Sequence, residues 1–213
     1  KRRAGVMRPE DADKIESETR SEFPKGIESF GTDALRFTFA VMATQGRDIR
    51  FDLTRVNGYK NFCNKVWNAA RFVLAVVEQR IGQTAAADLI IGIPEQWIRE
   101  RFRISIIQVV KGFKEYRFDR SAQSLYEFVW DDYCDWYIEV SKVRLYRDET
   151  PQPVKDGICS VLIEMLEGLL KALHPIMPFI TEEIWLKLRP LLPARGKSIM
   201  LEPYPDPDPD PEK

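Results

Sequence analysis

Residues Val56 to Val77 read VNGYKNFCNKVWNAARFVLAVV, within the longest periodic segment of the chain. At about 100° per residue, Asn57, Asn61, Asn64, Asn68 and Arg71 fall inside a stripe roughly 80° wide, with Lys60 and Phe72 at its edges. Tyr59, Phe62, Val66, Ala70, Val73 and Val77 take the opposite side and face a core. A helix that is apolar on one side needs other helices to cover it. The segment therefore predicts one long helix over residues 53–79, set in a bundle.

The flanks agree with that architecture. Upstream, residues 9–22 are highly charged and predict a short exposed helix, broken by Phe23-Pro24-Lys25-Gly26. Thr32 is the expected N-cap of a helix running to about Thr44, with Asp33 complementing its positive end. Downstream, Pro94 suits the first turn of a helix over residues 94–116. Asp119 is the expected N-cap of the next helix, which reaches about Val143. Pro151 and Pro153 mark another start, and that helix runs to Leu173 before Pro175 and Pro178 break it. Thr181 should cap a last helix ending by Pro190. Only Ser198-Ile199-Met200-Leu201 has strand character, and the alternating Pro and Asp of residues 205–211 predict an extended tail. The fold class is all-α: four to five long helices, a short N-terminal helical segment and an extended C-terminal tail. Expected divisions are residues 1–45, a bundle over 46–193, and a linker over 194–213.

With 213 residues, 44% hydrophobic and 11% aromatic, the chain can bury one substantial core. A net charge of −1 argues against general polyanion binding, so any nucleic-acid contact must come from a local patch. Such a patch exists. Residues 47–71 hold Arg47, Arg50, Arg55, Lys60, Lys65 and Arg71 against only Asp48 and Asp52. Cys63, Cys134 and Cys159 are far apart and odd in number, which argues against a disulfide framework and against a paired zinc motif and suits a reducing cytoplasm. His174 is the single histidine, so no His-based metal site is expected; beside Pro175 it reads as a helix-ending residue. No apolar run is long enough to cross a bilayer, and no signal peptide opens the chain. The start, Lys1-Arg2-Arg3, has no initiator Met, so a piece of a longer protein is expected.

Asparagine is a mediocre helix former because its amide competes with the backbone for hydrogen bonds. Four along one helical line are a cost that Lys, Glu or Gln would not carry. An amide offers a donor and an acceptor, which suits the edges of unstacked RNA bases. Arg71 and Lys65 are candidates for phosphates, and Phe72 for base stacking. The same row is also compatible with hydrogen bonds into neighbouring helices. Asp132, Asp135 and Glu139, with Asp131 beside them, share a face at α-helical spacing; a solvated or salt-bridged face is the expectation, because a di-metal bundle would need histidines. Trp130, Trp136 and Tyr137 read as core, and Trp67 borders the Asn row. A helical scaffold for a protein partner is the alternative function.

Several segments resemble the bacterial valyl-tRNA synthetases. They are Gly31-Thr32-Asp33-Ala34-Leu35-Arg36-Phe37, Gly46-Arg47-Asp48-Ile49, Asn61-Phe62-Cys63-Asn64-Lys65-Val66-Trp67-Asn68-Ala69-Ala70-Arg71-Phe72-Val73, Tyr126-Glu127-Phe128-Val129-Trp130, Cys134-Asp135-Trp136-Tyr137 and His174-Pro175-Ile176-Met177-Pro178-Phe179-Ile180-Thr181-Glu182. Isoleucyl- and leucyl-tRNA synthetases share the architecture, but the wording around Asn64 is closer to the valine enzymes. The resemblance implies the stem-contact and anticodon-binding region that follows the KMSKS loop, with residues 1–45 as the connection and stem-contact helices. It implies anticodon contact by Asn64, Asn68, Arg71 and Phe72, with Asn61 and Lys65 in second rank. Arg55, ahead of Thr54 on charge, is expected to approach the RNA. It further implies valine tRNA and the catalytic domain of the same longer chain as partners, a monomer, and no cofactor in this piece. ATP and magnesium belong to the catalytic domain, whose signature motifs are not in this sequence.

Overall fold

The computed structural model describes residues 11–44, 51–78, 88–192 and 196–207. Residues 47–50, which include Arg47, Asp48 and Arg50 of the basic stretch, lie outside these. Two compact units occur, residues 1–30 and 31–213. In the first, α1 (Ala12–Glu22) is the short charged helix expected, with Arg20 donating to Glu16 one turn away at 2.8 Å.

The second unit is a helical bundle. It contains α2 (Thr32–Met42), α3 (Leu53–Glu78), α4 (Ile93–Lys114) and α5 (Phe118–Glu127). A π-helical stretch (Phe128–Ile138) runs directly from α5 into α6 (Glu139–Leu145), followed by α7 (Gln152–Leu173) and α8 (Pro178–Leu188). Among the described residues there is no strand, and Ile199–Leu201 form a 3-10 turn where strand character was expected. That segment has no neighbouring strand to pair with, so its apolar residues settle as a turn with Ile199 buried.

Three capping expectations are corrected, and one first-turn carboxylate proves to act on a distant helix. Gly31 occupies the N-cap of α2 at φ 87°, a left-handed conformation that glycine tolerates and Thr32 would not, so Thr32 is already helical. Asp33 does sit in the first turn of α2, yet its carboxylate accepts from the backbone N–H groups of Phe179 (3.3 Å) and Ile180 (2.6 Å). It thereby caps α8 from 146 residues away. Thr181 lies inside α8, not at its cap, and donates to the Met177 carbonyl at 2.7 Å. Asp119 is likewise helical, and Arg117, which holds the N-cap position of α5, donates to it at 2.6 Å.

Phe62, Val66, Ala70, Val73 and Val77 are buried as the wheel of α3 requires, and Tyr59 is half-buried against Phe37. α3 packs on α2, α7, α8 and the π stretch, which leaves one of its sides uncovered. Trp185, Tyr133, Tyr137, Phe37, Phe62 and Phe128 are the largest fully buried side chains. Tyr137 is core as expected, but Trp130 is only half-buried and Trp136 is 45% exposed, its ring tilted against Trp97 at 4.5 Å between centroids.

Candidate RNA-binding face

The uncovered side of α3 is the polar stripe. Asn57, Asn61, Asn64, Asn68 and Arg71 are all exposed. None of these five side chains has a hydrogen-bond or ion-pair partner among the described residues. From Asn57 to Arg71 the row extends about 21 Å at the α-helical rise. The amides are thus not spent on neighbouring helices. They stand in water with donor and acceptor both available.

The other sequence candidates sit differently. Phe72 is half-buried at the edge of the stripe and packs on the core, with the Lys142 ammonium 5.2 Å from its ring centroid. A base stacking on that ring would displace Lys142. Lys65 is already occupied: its ammonium lies 2.5 Å from Asp135 and 3.9 Å from the centroid of Trp130. Trp130 in turn stacks on Tyr126 at 5.5 Å and on Phe62 at 6.5 Å. This column ties α3 to the π stretch and holds Lys65 as a cation–π cap on the core. Arg55 is exposed but stands roughly 160° around α3 from the centre of the stripe, beside Tyr59, so the fold does not bring it to the row.

The acidic residues of the π stretch and of the start of α6 do not gather. Asp132 accepts from Arg101 of α4 at 2.9 Å, Asp135 from Lys65 of α3, and Glu139 from Lys142 at 2.6 Å. The i→i+5 hydrogen bonding of a π-helix changes the angular step, so residues aligned on an α-helical wheel are aimed apart. Among the described residues no three His, Cys, Asp or Glu side chains form a metal-binding group. His174 ends α7, and its Nδ1 is 2.7 Å from the Thr181 hydroxyl. Since that hydroxyl gives its proton to the Met177 carbonyl, the imidazole is the donor. Burial pushes the Cys134 thiol up to about 12 and the Cys63 thiol up to about 11, so neither is a nucleophile at neutral pH. No helix among the described residues is long and apolar enough to cross a membrane.

Two groups that the sequence reading missed border the row: Lys142 from α6, and Lys187 from α8, whose ammonium lies 6.0 Å from the Trp67 ring centroid. Nothing local in the sequence marks them, because each reaches α3 only through helix packing.

The second unit is thus a helical bundle with one long helix left open along a row of amides. Its fold is matched by the LeuRS of Agrobacterium radiobacter, solved as a ternary complex with tRNA and LeuAMS, at a TM-score of 0.56 and 15% identity. That likeness covers 89% of this chain and 21% of the other. The family described as the anticodon-binding domain of tRNA ligase matches residues 95–213, from α4 onward, and the chain belongs to that family. Among curated proteins it is 49% identical to the valine--tRNA ligase of Acinetobacter baylyi over 206 residues, 96% of this chain and 21% of that protein. The valine--tRNA ligase of Coxiella burnetii is also 49% identical, over 96% of this chain and 22% of its own length. That of Legionella pneumophila is 47% identical over the same shares. The resemblance seen in the Asn64–Phe72 wording therefore extends across nearly the whole chain, which spans about a fifth of the length of these relatives.

Proposed function

We propose that this chain is the part of a valine--tRNA ligase that grips the anticodon loop of valine tRNA on the open side of α3. The observation that carries the reading is the row Asn57, Asn61, Asn64, Asn68 and Arg71, exposed in line and unpartnered among the described residues. Unstacked bases meet the amides of Asn64 and Asn68, with Asn61 extending the row, and Arg71 holds the backbone. Phe72 offers a ring at the edge of the row, reached once Lys142 moves aside. Lys65 supports the site from within the bundle.

In the longer protein, the attachment of valine with ATP and magnesium belongs to the catalytic domain of the same chain. The role of this piece is to fix where the tRNA sits. A reducing, cytoplasmic setting accords with the free cysteines.

The test is a gel-shift titration of the whole chain with valine tRNA and with the same RNA altered only in its anticodon. Tight binding of the first, loss with the second, and weakening by Asn68→Ala and Arg71→Ala are expected. Equal binding of both RNAs would sink the proposal.

A further inference from the structure

We infer that Lys142 and Lys187 form a pair of phosphate clamps on the two sides of the α3 row, gripping the ribose-phosphate backbone of the RNA loop that the amides read. The inference rests on the proposed use of α3 and adds contacts from two other helices.

The geometry is specific. Trp67 and Phe72 stand at about 80° to one side and about 60° to the other side of the Asn row. Each of these rings has a lysine from a different helix over it, Lys187 of α8 at 6.0 Å from Trp67 and Lys142 of α6 at 5.2 Å from Phe72. Three cations, Lys187, Arg71 and Lys142, therefore lie across the C-terminal half of α3, between the levels of Trp67 and Phe72, about 8 Å apart at the helical rise. A row of amides alone supplies no counter-charge to a polyanion. A loop laid along the row would bring its phosphates over the two shoulders, where these lysines are.

Both ammonium groups are available for exchange. The side chain of Lys142 is 38% exposed and that of Lys187 50%, and each pairs with a carboxylate of its own helix, Glu139 at 2.6 Å and Glu183 at 3.0 Å. Exposed pairs of this kind are weak and screened, so a phosphate competes well for the lysine. Lys65 makes the contrast. Its side chain is 23% exposed and is held by both Asp135 and the face of Trp130. The backbone-neutralising role that the sequence suggested for Lys65 thus passes to two lysines that only the fold brings to α3.

The experiment measures valine tRNA affinity of the whole chain against salt concentration for the parent, Lys142→Gln, Lys187→Gln and the double variant. Lys114→Gln, an exposed lysine at the end of α4, is the matched charge control. Each clamp removed should flatten the slope of log affinity against log salt by about 0.7–0.9, because one fewer counterion is released. The ratio of cognate to anticodon-altered tRNA should stay constant, since phosphate contacts carry no sequence information. Acetylation footprinting on the unaltered chain should show Lys142 and Lys187 protected by tRNA and Lys114 not. Slopes equal to that of the parent, or an equal drop with Lys114→Gln, would overturn the clamps. If Asn68→Ala still weakens binding in that case, the use of α3 survives without them. If the parent binds no tRNA, both readings fall together.

Discussion

Replacing Asn57, Asn61, Asn64 and Asn68 together by Ala should make the protein more stable and worse at holding RNA. Each amide is exposed, in the body of a 26-residue helix, and without a side-chain partner among the described residues. The folded state therefore loses no hydrogen bond on truncation. Ala outranks Asn in helix propensity by about 0.5–0.7 kcal/mol per site, so the four changes sum to roughly 2–3 kcal/mol as an upper figure, because i,i+4 neighbours do not add independently. For a domain of this length that corresponds to a rise in Tm of about 4–12 °C. Differential scanning calorimetry reads the first effect, and tRNA titration should show at least a tenfold loss, given about 1 kcal/mol for each hydrogen-bonded amide. A melting temperature below that of the parent would mean that the asparagines hold the fold. Unchanged tRNA affinity would mean that they hold nothing.

Glu95 is fully buried, accepts from Gly92 N–H at 2.9 Å and pairs with Arg144 at 2.5 Å, so Glu95→Gln should cost about 3 kcal/mol in urea unfolding. That is the lower end for breaking a buried pair, since Arg144 keeps 26% of its side chain in water. Gly157 meets the segment before α4 so closely that a Cβ would lie 2.2 Å from the Ile90 carbonyl oxygen. Gly157→Ala should therefore destabilise by about 1–3 kcal/mol in the same assay, and a neutral result would show that residues 88–92 yield freely. Burial holds the His174 pKa below its ordinary 6.5, partly opposed by Glu182 and Asp33. The unfolded chain then binds a proton more readily, so stability should fall as pH drops from about 7 through the folded-state pKa and level off below it. As the chain has one histidine, a single imidazole resonance reports that titration by NMR, and a midpoint above 6.5 would refute it.

Much of the architecture was readable because helix burial is periodic. Positions 62, 66, 70, 73 and 77 could only be apolar if one side of α3 was covered, and the Asn row could only be tolerated if the other side was not. Prolines at 94 and 153 placed two helix starts to within a residue or two, because a missing N–H is harmless in a first turn, whereas Pro178, read as a breaker, opens α8. The family wording around Asn64 carried the class.

Contacts between residues far apart in the chain were beyond any local rule. Asp33 looked like a partner for its own helix and caps α8. Lys65 looked free and is locked to Asp135 and Trp130, while Lys142 and Lys187, unmarked in their own segments, arrive at the edges of the row. The acidic residues near 132 looked aligned until the π register turned them apart. The pattern along the chain decided which side of each helix is wet, since burial repeats every turn. Which charges meet across helices was decided only by packing, since an ion pair or a cap depends on distance in space and has no period in sequence.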